Sequence, residues 1–299
     1  MKNPKNSGAS AKAPGPRDSH AHRTAPGQRA RKPCPPGPRQ AEPVHAVPGG
    51  APEGIRLNKA IAASGLCARR KADELVFAGR VSVDGIAELN PGRRVLPGEV
   101  IAVDGEPLRP EPEHVYLLLH KPVGTVCTLS DPQGRPTVMD CLPEQARGLG
   151  LFPVGRLDYF SEGLLLLTND GELANRLIHP RHHVDKVYEV HVRGEVPERS
   201  LEIMRSGMRL SDGTPLLPVA ASRLQAPERG GTLLRLTLRQ GVNRQIRRMC
   251  DDLGLTILRL RRVAQGILHL GTLRPGETRR LNAEEVLALR KSAGLGEKP

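Results

Sequence analysis

Gly155-Arg156-Leu157-Asp158-Tyr159-Phe160-Ser161-Glu162-Gly163-Leu164-Leu165-Leu166-Leu167-Thr168-Asn169-Asp170-Gly171-Glu172 is the stretch that decides the fold. Its leucine run is too short for a helix and is bounded by Gly163 and by Thr168-Asn169-Asp170, so it reads as a strand buried on both faces. Asp170 stands where it can cap a helix over 171–178, with Glu172 in the first turn. A second apolar strand, 151–154, precedes the stretch, so the polar loop between them is pinned at both ends. Loops held by a rigid scaffold are where chemistry-bearing side chains concentrate, and this one offers Asp158 with Arg156 two residues before it.

Outward from that loop, short aliphatic strands are expected at 115–120, 186–192, 233–238, 257–263 and 267–270. Helices are expected at 197–206, 243–253 and 283–291, the last capped by Asn282. Residues 124–143 read as a long loop with turn signals at Asp131-Pro132 and Gly134. Strands and helices without regular β-α-β repetition predict an α+β domain over 114–291, built on a mixed, mostly antiparallel sheet. A second informative stretch, Gly241-Val242-Asn243-Arg244-Gln245-Ile246-Arg247-Arg248-Met249, opens one of those helices. Helical spacing puts Arg244 and either Arg247 or Arg248 on one side, leaving Ile246, Met249 and Leu253 for the core. Arg259, Arg261 and Arg262 follow on the next strand, and clustered guanidiniums of this kind suit phosphate contacts.

Ahead of this domain lies a small basic module, 54–106. Ile55, Leu57, Ile61 and Ala62 recur at helical spacing, and a second helix runs from Arg69-Arg70-Lys71 to Val76 and stops at Gly79. Two short strands, 81–83 and 100–103, complete it. Cations in the first turn of a helix oppose the macrodipole, a placement that phosphate binding would justify. Residues 1–53 hold nine Lys/Arg against three acids, 11 of the 28 prolines, and no Leu, Ile, Phe, Tyr or Trp. Such a segment cannot bury enough apolar surface to order itself, so it reads as a disordered basic tail.

Composition narrows the function. The chain has 299 residues, a formal charge of +13, no Trp and only three Phe and three Tyr. The charge favours a polyanionic partner, nucleic acid first. The scarcity of rings argues against a single-strand-binding sheet that stacks base after base. No apolar run approaches membrane-spanning length. Five scattered cysteines without a Cys-x-x-Cys pair indicate a reducing compartment and no structural zinc. The cluster His179-Pro180-Arg181-His182-His183 lacks accompanying acid or thiol ligands, so no metal is expected.

Two resemblances sharpen this. The string RLNKAIAASGLCARRKADELVFAGRVSVDG closely resembles the αL RNA-binding domain named after small-subunit ribosomal protein S-four. That resemblance implies a shape-reading RNA clamp in which Lys59, Arg69, Arg70, Lys71 and Arg80 face phosphates. GRLDYFSEGLLLLTNDGELANRLIHP, then KVYEV, then LRQGVNRQIRRM, in that order, resemble the RsuA/RluB/RluE/RluF family of pseudouridine synthases over about 115–285. By that resemblance Asp158 matches the catalytic aspartate, Tyr188 the tyrosine that packs against uracil, and Arg247 the basic residue paired with the aspartate. Arg156 matches the arginine that fills the gap left by a flipped nucleotide, and an apolar residue under the base is expected at Leu268 or Leu270. Arg244 and Arg248 are expected to contact RNA. Phe160 and Ser161 depart from the family pattern, which more often has a polar residue and Thr there.

The reaction so implied breaks the C1′–N1 bond of a uridine, rotates the base and joins C1′ to C5, with no cofactor and no metal. The expected partner is ribosomal RNA, and the spellings RLNK and QGVNRQIRRMC lean toward the large-subunit (23S) branch over a small-subunit (16S) target. A catalytically silent RNA-binding or ribosome-assembly protein is the alternative of a different class. The chain is read as a cytoplasmic monomer. Four of its six rings, Phe152, Tyr159, Phe160 and Tyr188, fall in or beside these motifs, so they are expected to surround one flipped uracil.

Overall fold

A computed structural model describes residues 54–109, 112–225 and 230–296. The tail at 1–53 lies outside the described residues. The small module runs β1 (Ile55–Arg56), α1 (Leu57–Ala63), α2 (Arg69–Phe77), β2 (Val81–Val83), β3 (Ile86–Ala87), β4 (Arg94–Val95), β5 (Ile101–Val103) and β6 (Glu106–Pro107). Its core is small and wholly aliphatic: Leu57, Ile61, Leu75, Val76, Val81, Val83, Val95 and Val103, with Ala72. The α2 helix begins at Arg69 after Ala68, which supplies no side-chain cap, so the three cations do stand at an uncapped N-terminus.

The larger part runs β7 (Tyr116–Lys121), β8 (Phe152–Pro153), β9 (Glu162–Thr168), α3 (Gly171–Ile178), β10 (Lys186–Val192), α4 (Glu198–Ser206), β11 (Ala220–Leu224), β12 (Thr232–Leu238), α5 (Gln245–Asp252), β13 (Ile257–Gln265), β14 (Leu268–His269), β15 (Thr278–Arg280) and α6 (Ala283–Ser292). One sheet carries all its strands, in the order β11-β12-β10-β13-β9-β7-β15, with β14 beside β13 and β8 beside β9. The fold is α+β, as expected. Strand 151–154 shrinks to β8, and β11 and β15 are additions, short edge strands with little apolar alternation.

All seven residues of β9 are buried. Its successive side chains go to opposite faces, so the leucine run feeds two cores at once. Leu164 and Leu166 pack with Leu118, Leu173 and Leu177. Leu165 and Leu167 pack with Leu117, Leu119, Val138, Leu142 and Leu151. A third core, under β10, β12 and β13, holds Val190, Leu201, Leu234, Leu236, Met249 and Leu260.

Every strand pair in this sheet is antiparallel except one. β9 and β13 run parallel through Arg261↔Glu162 and Arg262↔Gly163, joining the two halves of the sheet. The approach is so close that a Cβ on Gly163 would lie 2.2 Å from the Arg262 carbonyl oxygen, and Gly163 has φ +113°. Only glycine satisfies both constraints.

Asp170 is nearly inaccessible and accepts four hydrogen bonds. The N–H groups of Glu172 (3.0 Å) and Leu173 (2.9 Å) cap α3 on one oxygen; Tyr116 (2.9 Å) and Arg290 (2.7 Å) hold the other. Burial by itself would raise this carboxyl, but the Leu173 and Tyr116 hydrogen bonds and the Arg290 charge hold it below its ordinary range. Burial and Asp170 in turn push the Tyr116 hydroxyl up to about 12, so it remains a donor.

Two predictions follow from these features. Gly163→Ala should cost on the order of 3 kcal/mol through backbone strain and overpacking, read as lost soluble yield or a shifted urea midpoint. Asp170→Asn leaves Arg290 buried without its counter-charge and should cost about 3 kcal/mol at neutral pH. Because the folded carboxyl is depressed, its contribution is present above the ordinary carboxylate range and is lost as pH falls through the folded value. The difference between Asp170→Asn and the parent in urea unfolding should therefore shrink below about pH 4; a constant difference would contradict this.

Candidate active site

The loop at 155–161 is fixed through its own carbonyls. The Asp158 carbonyl accepts from the Ser161 N–H (3.0 Å) and that of Tyr159 from the Gly124 N–H (2.9 Å). The Phe160 carbonyl accepts from Arg247 Nη2 at 2.8 Å, and the Ser161 carbonyl from Lys121 Nζ at 2.7 Å. Four consecutive acceptors are thus satisfied from four directions, which leaves the loop little freedom. Lys121 is wholly buried at the end of β7 and also donates to the Pro122 carbonyl at 2.8 Å. Burial lowers its pKa, opposed by nearby Cys127, Cys141, Asp158 and Glu162. Nothing in the sequence marks this residue, since a cation closing an aliphatic strand looks like a solvated end.

Asp158 itself stays about 29% exposed. Two cations from the start of α5 face its Oδ2: Arg247 Nε at 3.6 Å and Arg244 Nη1 at 3.8 Å. Both distances exceed hydrogen-bonding range, so these are ion pairs with room to tighten. The Arg247 side chain is only 16% exposed against 49% for Arg244, so its charge is the less screened of the two. Arg247 Nε is buried and has no hydrogen-bond partner. Arg244 occupies the N-cap position in a left-handed conformation (φ 50°), so α5 begins at Gln245, later than its apolar pattern suggests. Such backbone costs about 1–3 kcal/mol and concentrates at functional sites. Arg248, one residue on, turns the other way and pairs with Asp212, whose carboxyl is held down first by hydrogen bonds from Thr214.

Asp158, Arg156, Arg244, Arg247 and Tyr188 line one cleft of about 480 Å³, within the size range of small-molecule sites. Tyr188 projects from β10, its ring resting on the core under β12 and β13. Lys186 stands two residues away on the same face, opposite Gln265, while Tyr188 stands opposite Arg262. These partners also line the cleft, and Arg262 Nη2, Gln265 Oε1 and both amide atoms of Gln245 are buried without hydrogen bonds. Unmet buried polar groups cost about 1–3 kcal/mol each, and here they gather in the cleft wall. Burial and the Arg262 charge lower the Lys186 pKa. Periodicity alone could not find Gln265 or Gln245, which read as ordinary polar positions.

Three expectations need correction. Leu268 and Leu270 are buried in the core with Leu164 and Leu173, and the apolar lining of the cleft is instead Leu157, Leu177, Val242, Ile246 and Leu260, among others. The three arginines of β13 do not form a phosphate-facing row. Arg259 pairs with Glu162, Arg261 with Glu189, and Arg262 is buried, donating to the Leu164 carbonyl. Of the four rings, Tyr188 alone lines the cleft; Phe152 packs on the core, and Tyr159 and Phe160 point outward. Of the cations expected to face phosphates in the small module, Arg69 and Arg70 are exposed with no ion pair among the described residues, Lys71 and Arg80 stand in solvent-exposed pairs with Glu74 (2.8 Å) and Asp104, and Lys59 is half-buried.

Among the described residues no three His, Cys, Asp or Glu side chains converge as a metal site, and no helix is long and apolar enough to cross a membrane. His179 and His183 line the rim of the cleft beside Pro180.

Comparison with known proteins places this geometry. Residues 115–252 match the family model for RNA pseudouridylate synthase, and residues 55–101 match that for the S4 domain. An uncharacterized RNA pseudouridine synthase of Mycobacterium bovis is 42% identical over 246 residues, covering 82% of this chain and 96% of that protein. The ribosomal large subunit pseudouridine synthase B of Bacillus subtilis is 39% identical over 245 residues, covering 81% and 98%. A crystal structure of a pseudouridylate synthase superposes with a TM-score of 0.57 at 28% identity, covering 79% of this chain and 100% of the other. At such identity and coverage the relationship is one of family: the chain is a member of the RNA pseudouridine synthases, isomerases of RNA, and carries an S4 domain ahead of the synthase fold.

Proposed function

We propose that this chain converts a uridine of large-subunit (23S) ribosomal RNA to pseudouridine, with Asp158 as the catalytic carboxylate. The observation that carries the reading is Asp158 facing Arg247 and Arg244 in a cleft that also holds Tyr188. The choice of the large subunit leans on relatives: besides the Bacillus subtilis protein, one from Pseudomonas aeruginosa named ribosomal large subunit pseudouridine synthase B is 40% identical over 253 residues.

The chemistry assigns work to each group. The target uridine must leave its stack, because the reacting carbons are unreachable inside a helix. Arg156, exposed at the cleft mouth, is placed to occupy the vacated space. Asp158 then either attacks C1′ or removes the C2′ proton; both routes break C1′–N1 and free the uracil. Tyr188 holds the detached ring against the β10 face while it turns to present C5. Joining C1′ to C5 releases the C5 proton as N1 gains one, so atoms balance within the nucleoside. Arg247, whose Nε faces the carboxylate at 3.6 Å and has no hydrogen-bond partner, keeps it oriented through both bond changes. Leu157, Val242, Ile246 and Leu260 exclude water that would otherwise hydrolyse the cleaved sugar.

The chain so divides into an RNA-gripping module at 54–106 and a catalytic domain at 114–291. Arg69 and Arg70 are the phosphate contacts of the first, since Lys71 and Arg80 already have carboxylate partners.

Asp158→Asn should lower pseudouridine formation on unmodified 23S transcript by at least about 10³-fold, with the dissociation constant for that RNA within threefold of the parent in filter binding. Turnover near the parent's would remove Asp158 from its role. Replacing Arg69 and Arg70 together by Ala should weaken RNA binding and flatten the slope of log K against log salt by about 1.5, the loss of two phosphate contacts. An unchanged slope would assign the RNA footprint to the catalytic domain.

A further inference from the structure

Tyr159 and Phe160 sit directly after Asp158 yet outside the cleft. Their rings form an edge-to-face pair, centroids 5.0 Å apart and planes at 85°. Tyr159 is 38% exposed and Phe160 64%. Isolated exposed apolar side chains are ordinary, but here two of only six rings in 299 residues lie side by side in water. Their backbone is fixed: the Tyr159 carbonyl is held by Gly124 and that of Phe160 by Arg247, the cation that also faces Asp158. The Tyr159 hydroxyl lies over Gly124 and within electrostatic reach of Arg135. An edge-to-face pair leaves ring face open, and this one stands directly after Asp158, which Arg244 and Arg247 face, a setting suited to a nucleotide.

From this we infer that Tyr159 and Phe160 form a stacking step for an unpaired base immediately next to the flipped uridine. The inference rests on the proposed function, since it needs the uridine in the cleft at Asp158. Two residues of chain place Phe160 within about 7 Å of Asp158, the reach of an adjacent nucleotide. A protein surface could also cover two exposed rings, but their place beside Asp158 and the two arginines that face it favours a phosphate-bearing partner. Extruding one base leaves its neighbour without a stacking partner, and an aromatic face held at that point replaces it.

The test uses the full-length protein and unmodified 23S transcript, with pseudouridine formation as the readout. Phe160→Ala and Phe160→Leu should each raise KM about tenfold, the loss of one base stack, while Phe160→Trp stays within twofold of the parent. Leu restores apolar area without a ring face, so rescue by Leu equal to that by Trp would overturn stacking in favour of apolar contact. A KM for Phe160→Ala within twofold of the parent would overturn it outright. A fall in kcat at unchanged KM would also do so, making Phe160 a positioning residue for the Asp158 loop. In a synthetic hairpin bearing the mapped uridine, an abasic site on the stacked side should erase the difference between parent and Phe160→Ala. Persistence of that difference with either neighbour abasic would contradict the inference. A parent protein that forms no pseudouridine would instead defeat the proposed function, a failure visible before any variant is compared.

Discussion

The parallel contact between β9 and β13 is the constraint on which the rest of the molecule depends. Every other neighbouring pair in the sheet is antiparallel. At Gly163 and Arg262 two halves with separate cores meet, and the backbones approach so closely that a methyl group cannot be accommodated. The loop carrying Asp158 leads into β9 at that seam, and α5, which leads toward β13, brings Arg244 and Arg247 to the carboxylate. Arg247 then ties the arrangement together by bonding the Phe160 carbonyl and facing Asp158 at once. Seam, loop and cation are therefore one unit.

Net charge overstates the surface available to RNA. Arg248, Arg259 and Arg261 are engaged by Asp212, Glu162 and Glu189, and Arg262 is buried against the Leu164 carbonyl. What faces outward near the cleft is a smaller set, Arg156 and Arg244, with Arg247 half inside. Exposed ion pairs contribute little to stability, but the arginines at Glu162 and Glu189 meet largely buried carboxylates, where removing one partner strands a charge. The basic composition thus serves two ends, holding the sheet together and attracting a polyanion.

Much of this was legible in the amino-acid sequence, and the parts that were not share a physical cause. The leucine run of β9, the Asp170 cap and the alternation of β10 are local signals, and each element stands where it was expected. The edge strands Ala220–Leu224 and Thr278–Arg280 are short and bury only one residue between them, so neither shows a period to detect. The parallel seam is non-local and leaves no trace beyond Gly163. Helical spacing left Arg247 and Arg248 as alternatives and only the family resemblance singled out Arg247, while the left-handed Arg244 at the N-cap is a conformation no helical period anticipates. Leu268 and Leu270 looked suited to lie under a base, yet they complete a core; apolar type identifies burial without saying against what. Ring position misled in the same way, since Tyr159 and Phe160 neighbour Asp158 in the chain but point away from the cleft.

The central claim is that the Asp158 cleft works on a uridine of large-subunit ribosomal RNA. It is tested most directly by mapping pseudouridines, by carbodiimide labelling and primer extension, across all ribosomal RNA from cells with and without this gene. The account predicts that a pseudouridine of 23S RNA disappears with the gene and returns when it is restored, while every 16S position is unchanged. Identical maps, or a loss confined to 16S RNA, would contradict it.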